Sequence, residues 1–220
     1  MFRGTLTTPG GRARAWIDGL FVDHGVFRLV WGNFATVAPG RLYRSNHPTP
    51  ARLAAATRRY GLKTLINLRG ERQCGSDALS REAAARLGLR HIDAPLESRG
   101  APHRDRILRL AEIFRLMDEP ALMHCKSGAD RTGLAAGLFV ILNGGTSKDA
   151  LAQLSWRYGH VSRSRTGILD AFFHHYATEA EGRLPFLDWV RDEYDEVALK
   201  RDFVAGGLAT FLNDTLLQRE

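Results

Sequence analysis

Residues 121–133 have the composition of a site that binds an anion and attacks it with a thiol. They read ALMHCKSGADRTG, an apolar segment predicted as a strand, then a short glycine-containing loop, then a predicted helix. The N–H groups of such a loop and the positive N-terminal end of the helix converge where phosphate oxygens can bind. Cys125 begins the loop and Arg131 ends it, so a nucleophile and a planar cation flank the predicted anion site.

The residue types assign roles within this loop. A thiol at a helix N-terminus beside a guanidinium is expected to ionise at neutral pH, which makes Cys125 the predicted nucleophile. Arg131 can hold two phosphoryl oxygens and stabilise their charge. Thr132 can donate a hydrogen bond to the sulfur, and His124 is interpreted as orienting the loop rather than carrying a proton. The predicted phosphate-binding residues are Lys126, Ser127, Gly128, Ala129, Asp130 and Arg131, with Gly128 allowing close backbone approach. The alternative is an inert buried thiol and a surface arginine.

The ten residues HCKSGADRTG resemble the signature of the cysteine-dependent protein tyrosine phosphatase superfamily: Cys, five residues, Arg, then Ser or Thr. The upstream LYRSNHP, residues 42–48, is similar to the YRS-x-x-P segment of compact, dual-specificity-like bacterial members. The resemblance covers roughly residues 34–144. It implies hydrolysis of a phosphomonoester through a cysteinyl-phosphate intermediate, without metal or organic cofactor, on a phosphorylated protein.

The leaving oxygen calls for a general acid, and the sequence leaves its identity open. In the superfamily an Asp on the loop after the preceding strand usually serves; here HIDAPLESRGAP offers Asp93 and Glu97, whereas the simplest alignment falls near Ser98. Asp130 resembles the loop Asp assigned this part in myotubularin-like lipid phosphatases. Its alternative role is to pair with Arg131 or Lys126. A chain with no dedicated acid would be restricted to good leaving groups such as aryl phosphates.

Other functional alternatives follow from single residues. Lys126 resembles the lysine after the nucleophile in tensin-related phosphoinositide 3-phosphatases, so a phosphoinositide or inositol phosphate is the alternative substrate. A phosphate-binding module without turnover and a sulfurtransferase-like thiol enzyme are the other classes. Some superfamily members form a reversible disulfide between the nucleophile and a cysteine in the region of Cys74, which would protect the thiolate from irreversible oxidation. Otherwise Cys74 is an unpaired loop thiol.

Composition limits the partners. The 220 residues carry 31 Lys+Arg and 24 Asp+Glu, a net charge of +7, and the arginines are scattered rather than clustered. This pattern argues against nucleic acid and favours an anionic substrate. Two cysteines favour a reducing cytoplasm, and the longest apolar run, residues 134–142, is too short for a membrane helix, so a soluble protein is expected. The adjacent His174 and His175 point to different faces of a helix, so no metal site is predicted.

The remaining sequence predicts the scaffold that positions the loop. A hairpin over residues 34–45 is followed by three helix–strand cycles that end at residue 125, and the chain is then helical. This order predicts an α/β fold with a central, mostly parallel sheet of four or five strands, helices on both faces, and the loop at a strand's C-terminal end. We divide the chain into an arm (1–33), a phosphatase core (34–160) and a helical extension packed on the core (161–220). The arm is either a helix packed on the domain or a surface for a membrane or partner, and Arg163 and Arg165 either lean over the pocket or are solvated.

Overall fold

A five-stranded sheet forms the centre of the computed structural model, which describes residues 4–23 and 31–204. Its strands are β1 (Ala35–Ala38), β2 (Leu42–Ser45), β3 (Thr64–Asn67), β4 (Arg90–Asp93) and β5 (Ala121–His124). Their order across the sheet is β1-β2-β5-β3-β4. The first pair is antiparallel and the other pairs are parallel, which confirms the predicted mostly parallel sheet.

Helices cover both faces of this sheet, as predicted. They are α1 (Pro9–Ile17), α2 (Pro50–Tyr60), α3 (Gly75–Arg86), α4 (Arg104–Leu116), α5 (Asp130–Leu142), α6 (Ser147–Leu151), α7 (Ile168–Glu179) and α8 (Phe186–Asp192), and residues 196–204 are also helical. None of the helices in these described ranges is long and apolar enough to cross a membrane.

Local sequence signals set several of these boundaries. The Thr49 side chain accepts a hydrogen bond from the Arg52 amide at the start of α2, and Gly61 ends that helix at φ +65°. Thr146 caps α6 through a reciprocal pair of hydrogen bonds with Asp149. Capping chemistry acts within a single turn, so these boundaries are recognisable in the amino-acid sequence.

Alternation along the strands divides the core into two layers. On β5, Ala121 and Met123 face the larger cluster, whereas Leu122 faces the smaller one with Leu53 and Leu65. The larger cluster also contains side chains of α5, α7 and α8, including Phe172 and Trp189. The helices after residue 160 therefore share the core that supports β5.

The helical region predicted after residue 125 is interrupted at two places. The helix that begins at Ser147 ends at Leu151 and is followed by a short 3-10 turn, Trp156–Tyr158. The second interruption follows Asp192, where the buried Tyr194 donates to the Pro102 carbonyl at 2.8 Å and Asp195 accepts from two amides that open the next helix. Residues 205–218 lie outside the described part.

The N-terminal arm packs against α3. The Gly75 amide donates to the Asp18 carboxylate at 2.6 Å, and a Cβ at Gly75 would lie 1.9 Å from the Ala15 carbonyl oxygen. Such contact agrees with the arm as a packed helix, although residues 24–30 lie outside the described ranges.

Candidate active site

The predicted loop joins the C-terminal end of β5 to the start of α5. Cys125 follows the last residue of β5 and is 2% exposed. Gly128 has φ +79°, and a Cβ there would lie 2.7 Å from the Asn46 amide nitrogen, so this position requires glycine for both conformation and space. The Gly128 N–H donates to Cys125 Sγ at 3.2 Å.

Four consecutive loop carbonyls, those of residues 126–129, are held from outside the loop. Lys126 O accepts from the His47 amide at 3.3 Å. Ser127 O accepts from Asn33 Nδ2 at 2.9 Å, and Arg44 Nη2 donates to Gly128 O at 2.9 Å and to Ala129 O at 3.3 Å. In a planar trans peptide the N–H points away from the carbonyl of the same unit. The N–H groups of residues 127–130 therefore face away from these donors. The Gly128 N–H donates to the sulfur and the Ala129 N–H to Ser127 Oγ at 3.4 Å, so this side of the loop can serve as an anion-binding nest.

Arg44 is the main support of this arrangement. It is fully buried on β2, donates through Nη1 to Gln153 O at 2.9 Å, and lies with Cζ 3.8 Å from the centre of the Tyr158 ring. Burial lowers the pKa of Arg44 to about 10, so the guanidinium remains charged at neutral pH. The sequence patterns predicted no role for Arg44, although it lies in the segment that resembles YRS-x-x-P.

Asn33 joins the loop to the segment after α6. Its Nδ2 donates to Ser127 O and to Tyr158 O, both at 2.9 Å. The residue is buried and has φ +43°. Sequence reasoning missed Asn33 because it precedes the hairpin with no pattern of its own.

The two residues that open α5 after Asp130 contribute unpartnered donors. Arg131 Nε is buried and has no acceptor among the described residues, and the same holds for the fully buried Thr132 Oγ1. The predicted hydrogen bond from Thr132 to the sulfur is thus not formed in this structure. The Arg131 N–H is available to an anion held by the loop.

His124 is fully buried under the loop. Burial lowers the pKa of His124 well below its usual value, and the nearby His47 ring, 4.6 Å away, acts in the same direction. A neutral imidazole that lies 3.5 Å from the Cys125 carbonyl is suited to orienting the loop.

The structure places Asp93 away from the loop. Asp93 is the last residue of β4 and pairs with Asn67 on β3, which in turn pairs with His124 on β5. The backbone of Asp93 therefore lies two strands, about 10 Å, from that of His124. Arg81 Nη2 donates to both Asp93 oxygens at 2.9 Å, and Asn67 Nδ2 adds a bond at 3.0 Å. Asp93 is therefore engaged as an acceptor.

Glu97 and Asp130 are also engaged with cations. Arg106 donates to Glu97, whose carboxylate also lies 3.5 Å from the His103 ring. Asp130 Oδ1 lies 2.8 Å from His160 Nδ1. Asp130 thus has a partner that no local pattern indicates, because His160 arrives from a segment thirty residues later.

Lys126 pairs with the arm. Its Nζ lies 3.6 Å from Asp23 Oδ1, and Asp23 forms a buried two-bond pair with Arg69, each bond 2.8 Å. The Ser76 hydroxyl donates to Asp23 at 2.7 Å, and Cys74 Sγ lies 3.3 Å from that hydroxyl. Both cysteines are free thiols, and the disulfide with Cys125 remains a prediction.

Two further predictions concern the arginines before α7 and a possible metal site. Arg163 and Arg165 are exposed in the loop before α7. Within residues 4–23 and 31–204, no group of three or more His, Cys, Asp or Glu side chains is arranged to hold a metal ion.

Comparison with known proteins identifies the family of this site. The model of the tyrosine phosphatase family matches residues 25–153, more than half of the chain and the whole of the catalytic loop. The chain belongs to the tyrosine phosphatase family. It is accordingly a cysteine-based phosphatase, as the loop sequence predicts.

Solved structures share the fold at low identity. TpbA of P. aeruginosa is 21% identical, with 71% of this chain and 91% of that chain covered and a TM-score of 0.56. The core of the PP-IP phosphatase SIW14 from S. cerevisiae is 18% identical, with coverages of 80% and 93% and a TM-score of 0.50. PTPMT1 is 11% identical, with coverages of 68% and 99% and a TM-score of 0.51. A comparison with curated protein sequences gave no significant match.

Proposed function

We propose that this phosphatase hydrolyses aryl phosphates through a cysteinyl-phosphate intermediate, with phosphotyrosine in proteins as its natural substrate class. The observation that carries the reaction is the set of four loop carbonyls held from outside the loop, which leaves the amide side of the loop facing the other way, with the Gly128 N–H donating to the Cys125 sulfur. Preorganised donors of this kind stabilise charge without reorganising during the reaction.

The reaction proceeds in two displacements. The Cys125 thiolate attacks phosphorus, so an S–P bond forms as the bond to the leaving oxygen breaks. The loop amides and Arg131 hold the equatorial oxygens, and the leaving oxygen takes its proton from water. A second water then attacks phosphorus, the S–P bond breaks, and inorganic phosphate leaves while the thiolate is restored.

The choice of an aryl leaving group rests on the three carboxylates that could have served as the acid. Asp93, Glu97 and Asp130 each accept hydrogen bonds from a cationic side chain. A positioned general acid contributes roughly 10²–10⁴-fold. Without a general acid, the leaving oxygen departs as an anion. A tyrosine phenol, with a pKa of about 10, is a far better leaving group in that form than an aliphatic alcohol.

This argument separates phosphotyrosine from the phosphoinositide alternative, whose leaving groups are aliphatic ring alcohols. Lys126, the residue that favours a polyanion, is partly exposed and lies 3.6 Å from Asp23, a carboxylate that Arg69 already pairs. Its charge therefore does not separate the two substrate classes, whereas the leaving group does. We therefore place phosphotyrosine first, and we expect phosphotyrosine peptides to exceed phosphoserine peptides and phosphoinositides by about 10²–10⁴-fold in kcat/KM.

The first experiment measures hydrolysis of p-nitrophenyl phosphate by the wild type, Cys125→Ser and Cys74→Ser, in reductant. Cys125→Ser should abolish turnover yet retain binding of inorganic phosphate, whereas Cys74→Ser should retain turnover. Phosphate binding by a wild type without turnover would instead identify a binding module.

The second experiment varies the leaving group. Across a series of substituted phenyl phosphates, kcat/KM should rise steeply with the acidity of the phenol. A flat series would show that a protein acid donates the proton, and would refute the leaving-group argument. Asp93→Asn, Glu97→Gln and Asp130→Asn would then identify that acid as the variant in which the steep dependence appears.

A further inference from the structure

His160 lies between two carboxylates from different parts of the chain. Its side chain is fully buried, Nδ1 is 2.8 Å from Asp130 Oδ1, and Nε2 is 2.6 Å from Asp170 Oδ2. A carboxylate can only accept, so both ring nitrogens must donate and the ring is an imidazolium. Burial lowers the pKa of His160, but the bonds and charges of Asp130 and Asp170 outweigh burial and raise it to about 9.

This cluster connects the catalytic loop to α7. Asp130 is the first residue of α5 and directly precedes Arg131. Asp170 belongs to α7, where its other oxygen accepts from the Ser162 hydroxyl at 2.9 Å. His160 is thus a charged link between Asp170 of α7 and Asp130, the residue that directly precedes Arg131.

The same segment supports the loop at a second point. The Tyr158 carbonyl shares the Asn33 amide with Ser127 O, and the Tyr158 ring lies on the Arg44 guanidinium. The segment around residues 158–160 therefore contacts the two side chains that hold the carbonyls of residues 127–129. Its C-terminal anchor is the bond from His160 to Asp170.

We propose that His160 is a positioning residue of the phosphatase: by holding Asp130 between the loop and Asp170, it fixes the start of α5 and the Arg131 guanidinium in the orientation that phosphoryl transfer needs. This inference rests on the proposed function only in so far as its test measures hydrolysis of a phosphate ester. Displacement of a catalytic group by about 1 Å can cost roughly a hundredfold in rate, so a loop held by this link is sensitive to its loss.

The link predicts a pH dependence with a definite sign. While His160 is protonated it bonds both carboxylates; as the pH rises through about 9 it loses a proton, and one carboxylate loses its donor. The charged side chains that contact the ring are Asp130 from α5 and Asp170 from α7. Activity therefore falls on the alkaline side, and removal of the Asp170 charge moves that fall toward neutral pH.

The experiment measures kcat and KM for p-nitrophenyl phosphate between about pH 5 and 10 in the wild type, Asp170→Asn and His160→Asn. Asp188→Asn, an exposed carboxylate of α8 paired with Arg191, is the matched control. The wild type and the control should lose kcat with a midpoint near pH 9. Asp170→Asn should shift that midpoint by about one pH unit toward neutral. His160→Asn should lack it and lose about tenfold or more in kcat.

Two readouts keep the result decisive. Circular dichroism at each pH verifies folding, and if His160→Asn fails to fold, the shift in Asp170→Asn carries the test. Binding of inorganic phosphate depends on Arg131 but not on turnover, so it should weaken at least about tenfold in His160→Asn even if the wild type lacks phosphatase activity. Superimposable pH profiles for Asp170→Asn and wild type, or unchanged phosphate affinity in folded His160→Asn, would overturn the proposal.

Discussion

Replacement of Arg44 by lysine or methionine would test how the catalytic loop is held. The guanidinium donates to four acceptors, two of them loop carbonyls, in a site with no solvent exposure. Its pKa is lowered to about 10 by burial, which corresponds to a cost of roughly 3 kcal/mol for keeping the charge inside. Two opposing effects therefore set the free energy of unfolding of each variant. Lost hydrogen bonds destabilise the folded protein, whereas removal of a buried charge stabilises it.

Arg44→Lys keeps a charge that is at least as hard to desolvate, and one ammonium cannot reach all four acceptors. With charged hydrogen bonds worth about 1.5–3 kcal/mol each, the loss of two destabilises by about 3–6 kcal/mol. Arg44→Met loses all four bonds and the contact with the Tyr158 ring but no longer buries a charge, so we expect a smaller loss, about 1–3 kcal/mol.

Urea unfolding at pH about 7 measures both free energies, and p-nitrophenyl phosphate hydrolysis measures the loop. Both variants should lose activity, because Gly128 O and Ala129 O lose the donor that holds them. The reasoning is refuted if Arg44→Lys unfolds within about 0.5 kcal/mol of wild type and retains full kcat, since the planar fork would then be dispensable.

Four further substitutions test separate parts of the structure. Gly128→Ala should destabilise by about 2–4 kcal/mol and remove activity, because φ +79° and a 2.7 Å contact exclude a Cβ; unchanged urea midpoints and kcat would contradict this. Thr146→Ala removes a helix cap remote from the loop and should cost about 1 kcal/mol in urea unfolding with kcat unchanged. Arg69→Leu leaves Asp23 buried without its two-bond partner, so the free energy of unfolding should fall by about 3–5 kcal/mol and proteolysis within residues 4–23 should be faster. Equal cleavage rates in the variant and the wild type would contradict this. His160→Gln should lower the free energy of unfolding by roughly 3 kcal/mol at pH 6. The raised pKa of His160, about 9, adds stability that is complete below about pH 6.5 and is lost as the pH rises through 9. The difference between variant and wild type in urea unfolding should therefore shrink above pH 9.

The catalytic loop and the elements that carry it are predictable from the amino-acid sequence alone. HCKSGADRTG contains the predicted nucleophile and the predicted phosphate-binding arginine, and its glycine stands where the left-handed backbone requires one. Helix limits such as Thr49 and Gly61 follow from capping, which depends on residues within one turn of each other. Strands were recognisable because apolar runs are short and bounded by turn residues.

The residues that surround this loop are not predictable from the sequence, because they come from distant parts of the chain. Arg44 and Asn33 reach the loop carbonyls across 84 and 94 residues, and His160 reaches Asp130 across 30. A buried arginine in a short strand has no periodicity that distinguishes it from an exposed one. The partner of Asp130 and the acceptor role of Asp93 likewise depend on which strands and segments become neighbours, and that is set by the packing of the whole sheet rather than by any local pattern.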